Sequence, residues 1–396
     1  MEVLSKAMIE SATGAVELAI GLVGVMALFL GLMKVAEAGG LLTILARLIR
    51  PLMVKLFPDV PADHPAMGAM ILNLAANMLG LGNAATPFGI RAMQELDKLN
   101  PQQGTATNAM ALFLAINTSS VTLLPTGVIA LRAAAGSSDP AAILPTTLFA
   151  TIGSTAVAVI AAKLYQRLSP LTVDDNAVLQ QAPSNNGEKT PLKDDAQAYP
   201  LWVSLGALTA LVAFIPVAVF YGRSVSPWII PSLMVGFLGF GLVRRVRVYE
   251  VFVEGAKDGF RVAIRIIPYL VAILVAVDML RASGVMHAVV GAIGGITGRF
   301  GLPAEALPMA LMRPLSGSGA YGILASIIND PAIGPDSYTG YLVSTLQGST
   351  ETTFYVLAVY FGAVQVRRIR HSLATALTAD ASGVIFAVLA CSFFLG

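Results

Sequence analysis

Between Leu201 and Phe220 the chain carries no charged residue, and about twenty residues is what an α-helix needs to cross the hydrocarbon core of a bilayer. In lipid every backbone N–H and C=O must find its partner inside the segment, so such a run folds as a helix. Residues 13–33 and 143–162 are nearly as apolar. Across all 396 residues 56% are hydrophobic and 12% charged, roughly half the ~25% charged share of soluble domains. The sequence predicts an all-α, polytopic integral membrane protein.

The polar stretch around Thr172–Ala198 has no apolar periodicity and divides the chain. Four regions follow: an N-terminal half over 1–170, a hydrophilic linker over 171–199, two connecting transmembrane helices over 200–247, and a C-terminal half over 248–396. The connecting helices are expected at 201–220 and 228–243, joined by a turn at Tyr221–Pro227. Each half reads as a span, an amphipathic or short helix, two broken segments and a closing span. In the first half these fall at 13–33, 39–57, 65–98, 106–135 and 142–165. In the second, an amphipathic entry at 250–264 leads to 265–282, a short helix Val285–Ile296, 304–329, 337–366 and 372–395. Ala36-Glu37-Ala38 imitates a signal-peptide cleavage site, but the N-terminus lacks a basic region and the preceding run is long enough to span, so it is read as retained.

The broken segments carry matching polar insertions. Asn73, Asn77, Gly80, Gly82, Asn83 and Thr86 lie in the first, with Asn117-Thr118-Ser119-Ser120 after it. Arg313-Pro314-Leu315-Ser316-Gly317-Ser318-Gly319 lies in the second, followed by Gln347-Gly348-Ser349-Thr350-Glu351-Thr352-Thr353. A shift of 237 places Gly80, Gly82 and Ala85 on Gly317, Gly319 and Gly322, and Ala76 on Arg313. The second pair matches at a shift near 230, and the shared order of elements marks an internal repeat. Uncharged hydroxyls and amides on Gly/Pro-broken backbone are costly in hydrocarbon unless they face protein or water. Paired breaks in two halves point to a central site between repeats.

Gly317-Ser318-Gly319-Ala320-Tyr321-Gly322 spells a dinucleotide fingerprint, but Pro314 and the apolar helical context deny it the strand it requires. The glycines instead permit unwound turns whose exposed amides meet a ligand's negative charge, or else close helix packing. Asn73 and Asn77 share a helical face. Glu351 either binds a cation, a proton or a solute hydroxyl, or pairs with Arg313 and only locks its turn; Asp380 is a candidate buried partner. Site residues are therefore expected among Asn73, Asn77, Gly82, Asn83, Thr86, Asn117, Ser119, Ser316, Ser318, Gln347, Ser349, Thr350 and Glu351, with Arg313 and Asp380 as charge partners.

A net charge of +2, without a basic stripe, does not support nucleic-acid binding. The three histidines and Cys391 lack metal-ligand spacing, no nucleophile and base can be paired, and no enzyme activity, metal or cofactor is expected. Cys391 reads as a packing residue. Lys163, Arg167, Lys189 and Lys193, with Arg244, Arg245 and Arg247, place the linker in the cytoplasm by the positive-inside rule. The bilayer is the expected surrounding, and a small polar solute and self-association are compatible with the sequence. Hydropathy leaves open whether the repeats are parallel or inverted.

The run Asn73–Pro87 closely resembles the spore maturation protein A family. Arg313–Gly319 and Gln347–Gly362 closely resemble the spore maturation protein B family. Both belong to the nucleoside-recognition or gate-domain superfamily, and the resemblance covers nearly the whole chain. It implies two gate-domain repeats with broken or re-entrant helices, in a transporter-like protein of the bacterial inner membrane with a central polar site, suited to a small polar solute such as a nucleoside. The alternatives are a non-transporting membrane module for envelope or spore core physiology, and a protein that moves lipid or water. Ferrous-iron transporters, also similar, carry a guanine-nucleotide-binding domain that this sequence does not show.

Overall fold

The apolar runs fold as helices, and the only β-pairing among the described residues is an isolated bridge between Thr105 and Arg368. A computed structural model describes residues 2–80, 82–169, 199–284, 295 and 297–395, with backbone alone at 2–7, 10–11, 18–19, 21–22, 82–84, 208, 211–212, 214–227, 229, 395 and many positions between 262 and 282. The linker therefore lies outside the described residues, save Tyr199, as does all but one position of the expected Val285–Ile296 helix.

Helix α1 (Glu2–Ala38) turns at Gly39–Gly40 into α2 (Leu41–Leu56), a bend of 67°. Next come α3 (Pro65–Met78) and α4 (Gly82–Lys98), which pack side by side. His64, at the start of α3, lies near Glu95 and Lys98 at the end of α4, so this segment is a re-entrant hairpin. By contrast α5 (Asn108–Thr118) and α6 (Thr126–Ala134) run on as one broken span, and α7 (Ile143–Leu168) closes the half.

Helix α8 (Leu201–Val243) is continuous over 43 residues, roughly 65 Å at the α-helical rise. This corrects the expected pair of connecting spans: no turn forms at Tyr221–Pro227. Glycine weakens a helix by only about 1 kcal/mol, and proline removes one hydrogen bond without obliging the chain to reverse. The linker end and Arg244–Arg247 consequently sit at opposite ends of α8, so the two basic clusters do not jointly fix its orientation.

The second half repeats the first. Helix α9 (Val248–Ala282) leads to the hairpin α10 (Leu307–Met312) and α11 (Gly317–Ile328), the broken span α12 (Tyr338–Ser349) and α13 (Thr353–Ala363), and the closing α14 (Ser372–Leu395). Among the described residues α7 and α14 are each long and apolar enough to cross a membrane, and the bent α1–α2 pair makes a third if counted as one span.

Equivalent helices pair antiparallel. Gly259 lies against Met26 and Ala27, Gly255 against Leu30 and Lys34, and Val275 opposite Met8–Glu17. On the other pair, Phe149 meets Phe386 and Phe394, Ser154 donates to the Ala379 carbonyl at 2.9 Å, and Tyr165 reaches Thr378. The hairpins also exchange contacts: the Tyr360 hydroxyl of α13 sits over Gly89 of α4, and the Tyr321 hydroxyl of α11 over Gly127 of α6. The two repeats are thus inverted relative to one another.

Two latches tie the repeats together at opposite ends of α7, about 39 Å apart at 1.5 Å per residue. At its N-terminal end the fully buried Arg132 binds Asp336 (3.0 Å), Ser137 (3.1 Å) and the Pro335 carbonyl, and stacks 4.3 Å from the Tyr341 ring centroid. Asp336 also accepts from the Ser138 N–H at 2.7 Å. At the C-terminal end the pairing is mostly backbone: Ala106 N–H to Arg368 O (2.9 Å), Arg367 N–H to Gly104 O (2.8 Å), and Arg370 to the carbonyls of Ala106 and Ser169.

Acid should open both latches. Burial works to raise the Asp336 carboxyl, but bonds from Ser137 and Ser138 and the Arg132 charge outweigh it and hold it below the usual carboxylate range. Burial, then the Arg370 charge, pushes the His371 imidazole down to about 4. Groups with depressed folded values stabilise above their unfolded pKa and lose that contribution as pH falls. Melting temperature is expected to hold steady above about pH 6.5 and drop on acidification, first through His371 and then through Asp336. Replacing His371 by Phe should remove the first step; a wild-type melting temperature unchanged down to about pH 4 contradicts the assignment.

Candidate functional site

Four helix breaks meet halfway along α7. The first is the tip of the α3–α4 hairpin, where Gly80 takes φ +72° and a side chain would strike the Leu124 carbonyl. The Leu123 N–H donates to Met78 O at 2.8 Å and joins this tip to the α5–α6 break. In the second repeat the Phe354 N–H donates to Pro314 O at 3.0 Å, joining the α10–α11 tip to the α12–α13 break. Between repeats, the Glu351 N–H donates to Thr118 O at 2.8 Å. The closing helices hold the breaks in place: from α7 the Thr155 hydroxyl donates to Ser119 O, and on α14 Asp380 Oδ2 accepts from the Thr353 hydroxyl at 2.7 Å.

On the first repeat's side the amides bind one another. Asn77 Nδ2 donates to Asn117 Oδ1 at 2.9 Å, Asn73 Nδ2 to Ala85 O at 2.8 Å and to the Tyr360 hydroxyl at 3.0 Å, and Asn117 Nδ2 to Phe113 O at 3.1 Å. All three asparagines and Tyr360 are buried, and Tyr360 stacks on Phe113 with ring centroids 6.0 Å apart. Asn73 Oδ1 is left without a partner. Ser119 returns its hydroxyl to Ala115 O, and Thr86 is half-buried on α4. Gly82 begins α4, but the side chain of Asn83 lies outside the described residues.

On the second repeat's side the organising group is Arg313, whose side chain is 8% exposed. Its Nε donates to Gln347 O at 3.2 Å, Nη1 to Thr352 Oγ1 at 3.2 Å, and Nη2 to Thr350 O. The Glu351 carboxylate lies 3.8 Å from Nη2 and keeps 41% of its side-chain surface accessible. Ser316 caps α11 by accepting from the Gly319 N–H at 3.1 Å, Ser318 is half-buried in the next turn, and Ser349 donates to Leu346 O. Gln347 Oε1 and Asp380 Oδ1 are buried without partners. A cavity of about 140 Å³ opens here, its polar lining being Arg313, Thr350 and Asp380. Asn77 does not line it.

Of the sequence-predicted residues, Asn73, Asn77 and Asn117 form a network of neutral amides, and Gln347, Thr350, Glu351, Arg313 and Asp380 gather in a charged one beside it. The two adjoin at the Thr118–Ser119 peptide, while Ser119, Ser316 and Ser349 bond within their own turns. Sequence reasoning missed Tyr360, whose single hydroxyl in an apolar run gives no signal, and the polar face of α7. The second was legible, since Thr147, Thr151 and Thr155 recur at i, i+4 and i+8. Cys391 is buried, with its Sγ 3.6 Å from Thr345 Oγ1. Among the described residues no three His, Cys, Asp or Glu side chains form a metal-ligand set.

Removing Arg313 strips two carbonyls of their donor and leaves carboxylates without a cation. Arg313→Ala should cost on the order of 3 kcal/mol or more of stability, whereas Glu351→Gln, accessible and only loosely paired, should cost less than about 1 kcal/mol. Equal losses in detergent unfolding would refute this division of roles.

Comparisons with known proteins agree with the repeat. The family model for nucleoside recognition (Gate) matches residues 19–136 and 263–367, and each region contains one hairpin and one broken span. Spore maturation protein A of Bacillus subtilis is 49% identical over 149 residues, 38% of this chain and 76% of that protein. Spore maturation protein B of the same organism is 42% identical over 167 residues, 42% of this chain and 93% of that protein. The inner membrane protein YjiG of Escherichia coli is 30% identical over 103 residues, 26% of this chain and 64% of its own length. With its gate domain in two regions, and homology to both spore maturation proteins consistent with their fusion, this multi-pass membrane chain belongs to the nucleoside-recognition (Gate) family.

Proposed function

We propose that the protein is a carrier of the bacterial inner membrane that binds a small polar solute, a nucleoside first among candidates, where the four helix breaks meet. The observation that carries this reading is the Glu351 N–H to Thr118 O bond, which joins the broken spans of two inverted repeats midway along α7. Inverted repeats with interrupted helices at their interface are the usual setting of a secondary-transporter site. The solute is bound and released unchanged, without enzymatic chemistry.

In this reading Glu351, accessible beside Arg313, accepts hydrogen bonds from solute hydroxyls, and the Asn77–Asn117 pair across the Thr118 peptide offers neutral donors. The cavity of about 140 Å³ is smaller than the ~300 Å³ lower bound of ordinary ligand pockets. Admitting a nucleoside therefore requires the hairpin tips to part, and the latches at the two ends of α7 are the natural exits. Lys163 and Arg167, next to the 171–199 linker, support a cytoplasmic linker.

One observation favours a non-transporting membrane module instead: Asn73, Asn77, Asn117 and Tyr360 bond to one another, as in a sealed packing interface. Calorimetry of the purified protein with uridine, adenosine and free nucleobases separates the two. Carrier function predicts nucleoside binding weakened at least ~10-fold by Glu351→Gln, the loss of one charge-assisted hydrogen bond. Binding indifferent to both Glu351→Gln and Asn77→Ala, or no binding at all, favours the module.

A further inference from the structure

We propose that Asp380 is a proton-binding site, loaded and emptied through the small cavity it shares with Arg313. Asp380 sits on the membrane-spanning α14 and is 6% exposed. Its Oδ2 accepts from Thr353, while Oδ1 is buried with no bonded partner. A carboxylate oxygen accepts hydrogen bonds only, but a protonated one donates. The cavity of about 140 Å³ has room for a few waters to receive that proton at ~30 Å³ each.

Charge balance points the same way. Arg313 is the cation lining the cavity, and it already faces Glu351 at 3.8 Å. Among the described residues, the other elements around Asp380 bring no further titratable group to it. Helix α5 (Asn108–Thr118) contains none, α7 presents Ser154, the end of α12 presents Gln347, Ser349 and Thr350, and the start of α13 presents Thr353. One guanidinium thus stands between two carboxylates in a segment where unpaired charge is expensive. With the proton on Asp380, Arg313 and Glu351 balance each other.

The step is a simple exchange: the Asp380 O–H bond breaks, the proton passes to cavity water, and the electron pair stays on the carboxylate. Two carboxylates then compete for Arg313. A guanidinium drawn toward Asp380 leaves the carbonyls of Gln347 and Thr350 and the Thr352 hydroxyl, the groups through which it holds the α12–α13 break. Proton release therefore loosens the turn that carries Glu351. The use of this coupling rests on the carrier reading; the proton site itself does not.

Infrared difference spectroscopy of the lipid-reconstituted protein, stepped between roughly pH 5 and pH 9 without any solute, tests it. A protonated-carboxyl band should titrate with pH, vanish in Asp380→Asn, persist in Glu351→Gln, and stay unchanged when sodium replaces choline. Should Asp380→Asn not fold, Thr353→Val serves: losing the hydroxyl bond should move the band's frequency. The proposal is overturned if no titrating band is found, if the band follows sodium instead of pH, if it survives in folded Asp380→Asn, or if Thr353→Val leaves its frequency untouched.

Discussion

The buried guanidinium of Arg313 is the interaction on which the second repeat depends. Breaking a helix in the membrane interior strands backbone carbonyls that neither lipid nor an unbroken ladder can satisfy. Arg313 supplies fixed donors to two of them, at Gln347 and Thr350, and a third to Thr352. The first repeat has alanine at the equivalent place and uses Asn77 against Asn117 instead. The stranded Ser119 carbonyl of that half is met by the Thr155 hydroxyl of α7, so one half closes its break with a charge and the other with a neutral hydroxyl beside amides that bond to each other. That difference places the accessible carboxylate, Glu351, on one side of the junction.

Inversion of the repeats has a mechanical consequence. Each hairpin enters from a different end of α7, and each end is closed by a latch between one repeat's loop and the other's. The latches are equivalent in topology but not in chemistry. Arg132 and Asp336 form one through side chains, whereas Gly104, Ala106 and Arg368 form the other largely through backbone. The ionic latch is open to single substitutions at Arg132 or Asp336, whereas the main-chain pairing at the other end does not depend on any one side chain.

Much of this was legible in the sequence. Charge-free runs fixed the helices, and Gly80, the Asn117–Thr122 stretch, Gly317 and the Ser349–Thr352 stretch marked the four breaks. The remainder depends on facts that local pattern does not carry. Arg132 and Asp336 are separated by 204 positions, and nothing in their surroundings pairs them. Whether a broken segment turns back or runs on is decided by its packing, so hydropathy could not distinguish the re-entrant α3–α4 from the broken span α5–α6. At Tyr221–Pro227 the composition looked like a turn, yet helix α8 continues through it.

Water access to the junction of the four breaks tests the central claim most directly. Since Cys391 is the chain's one cysteine, a Cys391→Ser background carrying Ser318→Cys offers a single thiol at the α11 tip. A carrier site predicts labelling by a membrane-impermeant thiol reagent from at least one side of the membrane, slowed by a nucleoside. A thiol that no aqueous reagent reaches from either side, in protein shown to be folded, would contradict a transport site and leave a packed membrane interface in its place.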